Sequence, residues 1–282
     1  MEKRQWNKGT HEYKVNKFYS HGVENYGDFH GGYLNFGFWE NGNEDYLKAA
    51  HTLIHKLADL LKLNEDSELL DVACGMGGQC VYISENFKLK KITGFDLVFE
   101  HLNWAKWRRD KKGIDNIEFV QGTAVDMPFD QKSFSHILCV EGIVHFKTRE
   151  KFFEECHRVL KDDGRVVFSD YAIKKKPKNK FEDFLLKTTT DLWNIPRDNF
   201  STPEEYKLKL EEKGFKNVIV HCVGDNVIPG YCKEQSRREC INELSKIRGF
   251  FAGRLGHIID IVLDWTYKKG LCDYIIVEAD KA

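Results

Sequence analysis

The residues whose types and spacing most suggest chemistry lie in the run Leu69–Gly78, LLDVACGMGG, where an apolar stretch carrying Asp71 passes through a glycine turn into a helical pattern. Glycine has no side chain to obstruct a ligand, and a helix that begins in such a turn aims its first free amides at whatever docks there. The chemistry is binding of a small group against main chain. A dinucleotide site would read G-x-G-x-x-G, but counting from Gly75 and Gly77 the third position is Cys80, which disfavours a nicotinamide cofactor. The eight cysteines show no C-x-x-C pair and no zinc-like Cys/His spacing, so they read as reduced thiols packed as small apolar groups. His11, His21 and His30 lack metal-ligand spacing too and are expected to be exposed or locally bonded; no metal is expected.

These residues must be positioned by the elements around them. From Asn64 to Tyr171 short β-branched runs alternate with longer helical patterns, the signature of a parallel sheet with helices on its faces. Strands are expected at Glu68–Ala73, Lys91–Asp96, Asn116–Gln121, Phe134–Val140 and Gly164–Asp170, with turns at Asn64–Ser67 and Asp162–Gly164 and helices from Gly78, Phe99 and Arg149. After Tyr171 the lysine-rich run Lys174–Lys180 cannot be a buried strand. A helix over Phe181–Trp193, broken before Pro196, reads as an inserted cap. A helix at Pro203–Lys213, a strand at Asn217–Val223, a long amphipathic segment over Glu234–Tyr267 and a last strand at Asp273–Glu278 complete a count of seven strands. The expected division is a helical cover over 1–63, a core over 64–173, a cap over 174–202, and completion of the sheet over 203–282 with a helical insertion at 233–270.

The run LLDVACGMGG resembles motif I of the class I S-adenosylmethionine-dependent methyltransferases, and is similar in particular to the small-molecule group that includes the tocopherol methyltransferases. Ala73 stands where that family usually has its first glycine. The family's next landmark, an acid ending the second strand, falls on Asp96 in ITGFD, whose carboxylate would accept hydrogen bonds from both ribose hydroxyls. A third landmark appears as Gly122-Thr123-Ala124-Val125-Asp126-Met127-Pro128-Phe129, with Thr123 replacing the acid that commonly contacts the adenine amino group. Asp126 matches a variable position and is read as a surface turn. The resemblance runs from about Tyr33 to Tyr171 and implies a Rossmann-like α/β fold, a seven-stranded sheet whose last strand is antiparallel, and helical cap insertions. It also implies that S-adenosylmethionine, leaving as S-adenosylhomocysteine, is held by Asp71, Ala73, Cys74, Gly75, Gly77, Gln79, Asp96, Leu97, Thr123, Ala124, Val140 and Tyr33.

If the methyl acceptor is a hydroxyl, its proton must leave, and a histidine is the natural base at neutral pH. The resemblance points to His145 in VEGIVHF, with Glu141 four residues earlier. On one helical turn the two would share a side, so that Glu141 orients the imidazole or touches the substrate. The aromatic and glycine-rich segment Glu24–Glu40 resembles the family's cover over the methionine end of the cofactor, where Tyr33, Phe38 and Trp39 would contact cofactor or substrate. Tyr26 and Trp39 in the cover, Phe184 and Trp193 in the cap, and Tyr231, placed in a loop after the sixth strand, are the expected substrate contacts.

Composition bounds the remaining choices. With 41% hydrophobic and 31% charged residues in 282, the chain can bury a core and is neither disordered nor fibrous. A net charge of −1 gives no cationic field for nucleic acid or anionic membrane, so a small-molecule acceptor is favoured over a macromolecule. No apolar run approaches a membrane span and the first residues lack a secretory pattern, so a cytoplasmic location is expected, with a homodimer left open. Oxygen is the favoured acceptor atom, with carbon, as in an isoprenoid, or nitrogen as alternatives.

Overall fold

Successive residues of each strand point to opposite sides of the sheet, and that alternation divides the core in two. In a computed structural model that describes residues 3–20, 29–42, 44–192, 195–196 and 199–282, Leu69, Leu138, Val167 and Ile276 feed one apolar cluster. Their neighbours Leu70, Ile137, Val166 and Ile275 feed a second one on the other face. The strands are β1 (Glu68–Val72), β2 (Lys91–Asp96), β3 (Ile117–Gln121), β4 (Phe134–Val140), β5 (Leu160–Ile173), β6 (Phe215–Cys222) and β7 (Cys272–Lys281). Among the described residues they form one seven-stranded sheet in the order β3-β2-β1-β4-β5-β7-β6, and β7 runs antiparallel to both β5 and β6. The expected Rossmann-like sheet with an antiparallel last strand is what the chain builds.

The helices are α1 (His11–Ser20), α2 (Tyr46–Leu61), α3 (Gly78–Asn86), α4 (Phe99–Lys112), α5 (Arg149–Val159), α6 (Lys180–Leu192), α7 (Pro203–Glu212), α8 (Gly224–Gln235), α9 (Arg238–Arg248) and α10 (Phe250–Lys268). Residues of α2, α3, α4, α8 and α10 pack into the first cluster, and those of α5 and α7 into the second. Local chemistry sets several ends. Asp45 caps α2 by accepting from the Lys48 amide, Thr148 caps α5, and Gly113 stops α4 with φ 66°. Thr202 and Glu205 form a reciprocal capping box on α7, with Pro203 opening the helix.

Two boundaries differ most from expectation. Asp162–Gly164 is a bulge within β5 rather than a turn before it: Leu160 already pairs with Phe134, and the register shifts before His136 meets Arg165. The second excursion begins at Gly224, not at 233, because α8 carries Pro229 in its interior and the sequence there reads as a loop. Tyr231 therefore stands on a helix.

Candidate active site

The strand order reverses across β1, whose neighbours are β2 and β4, and in an open α/β sheet ligands bind beyond the carboxyl ends of the strands at such a point. The chain leaves β1 through three left-handed residues, Ala73 (φ 58°), Gly75 (φ 55°) and Gly77 (φ 75°), and enters α3. A non-glycine residue in that region costs about 1–2 kcal/mol, which explains why the family prefers glycine where this chain has Ala73. Asp96 secures the turn: its Oδ2 accepts from the Gly75 amide at 2.9 Å and its Oδ1 from the Val98 amide at 2.8 Å.

Over this turn lies a cavity of about 430 Å3. Its floor is the strand ends, with Ala73, Cys74, Gly75, Asp96, Leu97, Thr123, Ala124 and Val140, all expected from the sequence, and Gln79 from α3. Its roof is His11, Val15 and Tyr19 of α1, the segment around Tyr33 and Phe36, Tyr46 of α2, and residues of α8 and α10. Tyr33 lies on the glycine turn, where a Cβ on Gly78 would come within 2.8 Å of its ring, and its hydroxyl donates to the Gly78 carbonyl at 3.1 Å. Asp126 is exposed and pairs with Thr123 in a tight turn, as expected.

Two residues expected in the cavity do not line it. Asp71 is fully buried beneath the turn, accepting from Gln79 Nε2 at 2.7 Å and from the Cys80 thiol at 3.0 Å, and burial pushes its carboxyl up to about 7. It ties strand to helix beneath the turn. Gly77 faces α4: a Cβ there would stand 2.6 Å from that of Ala105. Its lack of a side chain serves helix packing.

His145 ends a short 3-10 turn, Ile143–His145, and lines the cavity. Its Nε2 lies 2.6 Å from the Tyr19 hydroxyl, and its carbonyl lies 2.6 Å from His11 Nε2, a contact across 134 residues for a histidine expected to be exposed or locally bonded. Glu141 is not on a shared helical turn with it. Glu141 sits ahead of the turn at φ 56°, and its Oε1 accepts from the Phe36 amide at 2.8 Å and the Tyr274 hydroxyl at 2.7 Å. Burial pushes its carboxyl up to about 7. Glu141 thus joins the cover to β7 at the edge of the cavity and does not orient the imidazole through a shared turn.

The expected substrate contacts divide. Tyr231 lines the cavity, its ring stacked on Phe36 at 3.9 Å. Trp39 does not: it is buried with Tyr46, Ala49 and Ala50, and its indole N–H donates to the Phe36 carbonyl at 2.9 Å. Phe38 packs in the core, with Lys56 Nζ 4.6 Å from its ring centre as the cation its face attracts. Phe184 is 58% exposed on α6, which buries Leu185 and Leu186 instead, so it does not reach the cavity. Tyr26, Trp193 and His21 lie outside the described residues. His30 is stacked between Phe29 and Tyr46, and its Nε2 lies 3.6 Å from Cys240 Sγ on α9; burial pushes it down to about 4. Glu234 completes a group with them whose candidate ligand atoms lie within 4.8 Å of one another, a grouping that chain spacing does not reveal.

Sequence reasoning missed Tyr19, Phe36, Tyr46, Tyr274 and Asp260 as lining residues. They come from five separate elements or segments; Phe36 falls within the aromatic cover segment, and the other four belong to no local pattern. S-adenosylmethionine, implied by the glycine-turn resemblance, suits the residues that are present. A Cβ on Gly75 would meet nothing within 4 Å, so main chain lies open to the cavity, with an acceptor carboxylate at Asp96 and apolar walls at Leu97 and Ala124.

The profile of a methyltransferase domain family matches residues 70–168. The chain is 30% identical over 203 residues to erythromycin 3''-O-methyltransferase of Saccharopolyspora erythraea; the match covers 70% of this chain and 66% of that enzyme, just under two thirds of its length. Among solved structures it is similar to geranyl diphosphate C-methyltransferase of Streptomyces coelicolor A3(2), with TM-score 0.78, 16% identity, and 99% of this chain and 100% of that one covered. It is also similar to the (4+2)-cyclase SpnF, with TM-score 0.77, 19% identity and 96% of each chain covered. At those identities the two structures show the fold alone. Among the described residues no helix is long and apolar enough to cross a membrane. The glycine turn, Asp96 and the sheet order agree with the matched methyltransferase domain, which spans residues 70–168 of this chain.

Proposed function

We propose that the chain methylates a hydroxyl oxygen of a small, partly apolar metabolite, with Tyr19 and His145 carrying away the proton. The observation behind this reading is a single cavity that joins the glycine turn and Asp96 to the hydrogen-bonded Tyr19–His145 pair. When bound, S-adenosylmethionine supplies a methyl group already made electrophilic by its sulfonium. The chain's own work is to hold an acceptor oxygen in line, exclude water and take a proton. Because the Tyr19 hydroxyl meets His145 Nε2, the acceptor's proton passes to Tyr19 Oη while Tyr19's own proton moves to Nε2. The oxygen–carbon bond forms as the carbon–sulfur bond breaks, and the charge ends as imidazolium. Similarity to an enzyme named as an O-methyltransferase supports oxygen as the acceptor atom. Glu141 beside the stacked Phe36 and Tyr231 rings favours a second reading, C-methylation of an isoprenoid, in which carboxylate and rings stabilise positive charge.

Incubation with methyl-labelled S-adenosylmethionine and fractionated metabolite extracts identifies the product and the labelled atom. We expect His145→Ala to lower turnover by about 10²–10⁴-fold, Tyr19→Phe to lower it less, and S-adenosylhomocysteine affinity to change little in either. Unchanged turnover in His145→Ala removes the proton path, and label on carbon selects the second reading.

A further inference from the structure

We infer that the cavity ends in a polar subsite on α10, where Asp260 receives a hydrogen-bond donor, a hydroxyl or a protonated amine, carried by an otherwise apolar acceptor. This rests on the proposed methyl transfer only for calling the ligand an acceptor; the subsite itself is read from side chains.

Among the described residues the other buried carboxyl groups are matched. Asp71 accepts from Gln79 and Cys80, Asp96 from two backbone amides, Asp170 from Arg149, and Asp273 from the Gly224 amide, while Glu278 pairs with Arg165. Asp260 is only 5% exposed, yet its carboxyl has no hydrogen-bond or ion-pair partner among the described residues; its backbone carbonyl accepts from the Cys232 thiol at 3.4 Å. An unmatched buried carboxyl is costly, and a fold keeps one where something else completes it.

The surroundings say what completes it. Asp260 shares the cavity lining with Ile228, Leu244, Leu255 and Ile259, and with Gln235, whose Oε1 accepts from the Cys240 thiol at 3.4 Å. Gly256, one helical turn earlier on the same face, also lines the cavity, and a Cβ there would meet nothing within 4 Å. The missing side chain leaves room next to the carboxyl. Tyr231, stacked on Phe36, lines the same cavity. Burial pushes Asp260 up to about 7 with no neighbouring cation drawing it back down, so a bound donor would stabilise its ionised form. Apolar pockets with a few placed polar groups fix ligand orientation in this way.

The test uses the full chain, with and without S-adenosylhomocysteine, titrated with cyclohexylmethanol, cyclohexylmethylamine and methylcyclohexane, three probes of one shape. At least one polar probe is expected to bind the wild type about tenfold or more tightly than the hydrocarbon, because a site built to accept a hydrogen bond discriminates against a ligand lacking the donor. Asp260→Leu is expected to erase that preference. Asp260→Asn, nearly the same shape, should keep the alcohol and lose the amine, which separates a hydroxyl from an ammonium ligand. S-adenosylhomocysteine titration of each variant reports that it is folded. A donor preference that survives Asp260→Leu overturns the subsite, as does its absence in the wild type. Failure of S-adenosylhomocysteine to bind the wild type overturns the methyl-transfer reading instead, and the probe comparison still decides the subsite.

Discussion

Asp96 carries two duties that a single carboxylate rarely combines. It accepts from the Gly75 and Val98 amides, which shapes the glycine turn, and it borders the cavity that the turn opens onto. Hydrogen bonds to a charged group contribute about 1.5–3 kcal/mol each, so Asp96→Ala should weaken S-adenosylhomocysteine binding by about 10–100-fold in calorimetric titration. Affinity within about twofold of wild type would mean that the turn holds its shape and its ligand without that carboxylate. Asp71 shows the contrast: the sequence pattern groups it with the ligand-holding residues, but its bonds to Gln79 and Cys80 make it a brace under the turn. One motif can therefore hold residues of both kinds, since strand alternation turns Asp71 away from the cavity.

At the scale of elements, the glycine turn depends on how closely α3 approaches α4. A Cβ on Gly77 would stand 2.6 Å from the Ala105 Cβ and 2.9 Å from its Cα, and the residue has φ 75°. Gly77→Ala should destabilise by about 2–4 kcal/mol in urea unfolding, from left-handed strain plus overpacking. Gly113→Ala at the end of α4 meets the same kind of strain, with φ 66°, but nothing within 4 Å; it should cost about 1 kcal/mol. Equal losses would refute close helix approach as the reason for Gly77. Elements punctuated by local chemistry were legible: β2, β4 and the starts of α3, α4 and α5 fall where their sequence signals place them. The start of α8 was not, because Pro229 looks like a helix breaker until tertiary packing holds the helix around it.

The whole molecule buries three acids at its site end, Asp71, Glu141 and Asp260, each pushed up to about 7 by burial. The folded chain therefore binds more protons than the unfolded one between roughly pH 4 and 7. Their stabilising contribution is full below the unfolded pKa and is lost as pH rises through about 7. His30 and His136, pushed down to about 4, act oppositely from about pH 7.5 downward, where unfolded histidines begin to charge, and at pH 6.5 each offsets about 0.4 kcal/mol. Calorimetric unfolding should accordingly show higher stability at pH 6.5 than at pH 8, by about 1 kcal/mol per acid less the histidine offset. Glu141→Gln, which can still accept from Phe36 and Tyr274, should remove about 1 kcal/mol of that difference. Greater stability at pH 8 would contradict the neutral burial of these groups.

The sequence by itself determined the parallel sheet and the glycine turn, because hydrophobic period, capping residues and turn glycines act over a few residues and are written in order along the chain; the antiparallel last strand and the place of Asp96 came from the resemblance of its motifs to a known family. Only the tertiary structure decided that Tyr19 meets His145, that Glu141 bonds to Phe36 and Tyr274 rather than sharing a helical turn with the histidine, that Trp39 and Phe184 stay out of the cavity, and that Asp260 looks into it. These pairings join residues up to 133 positions apart, and which face of a helix is covered depends on neighbours that no local pattern names.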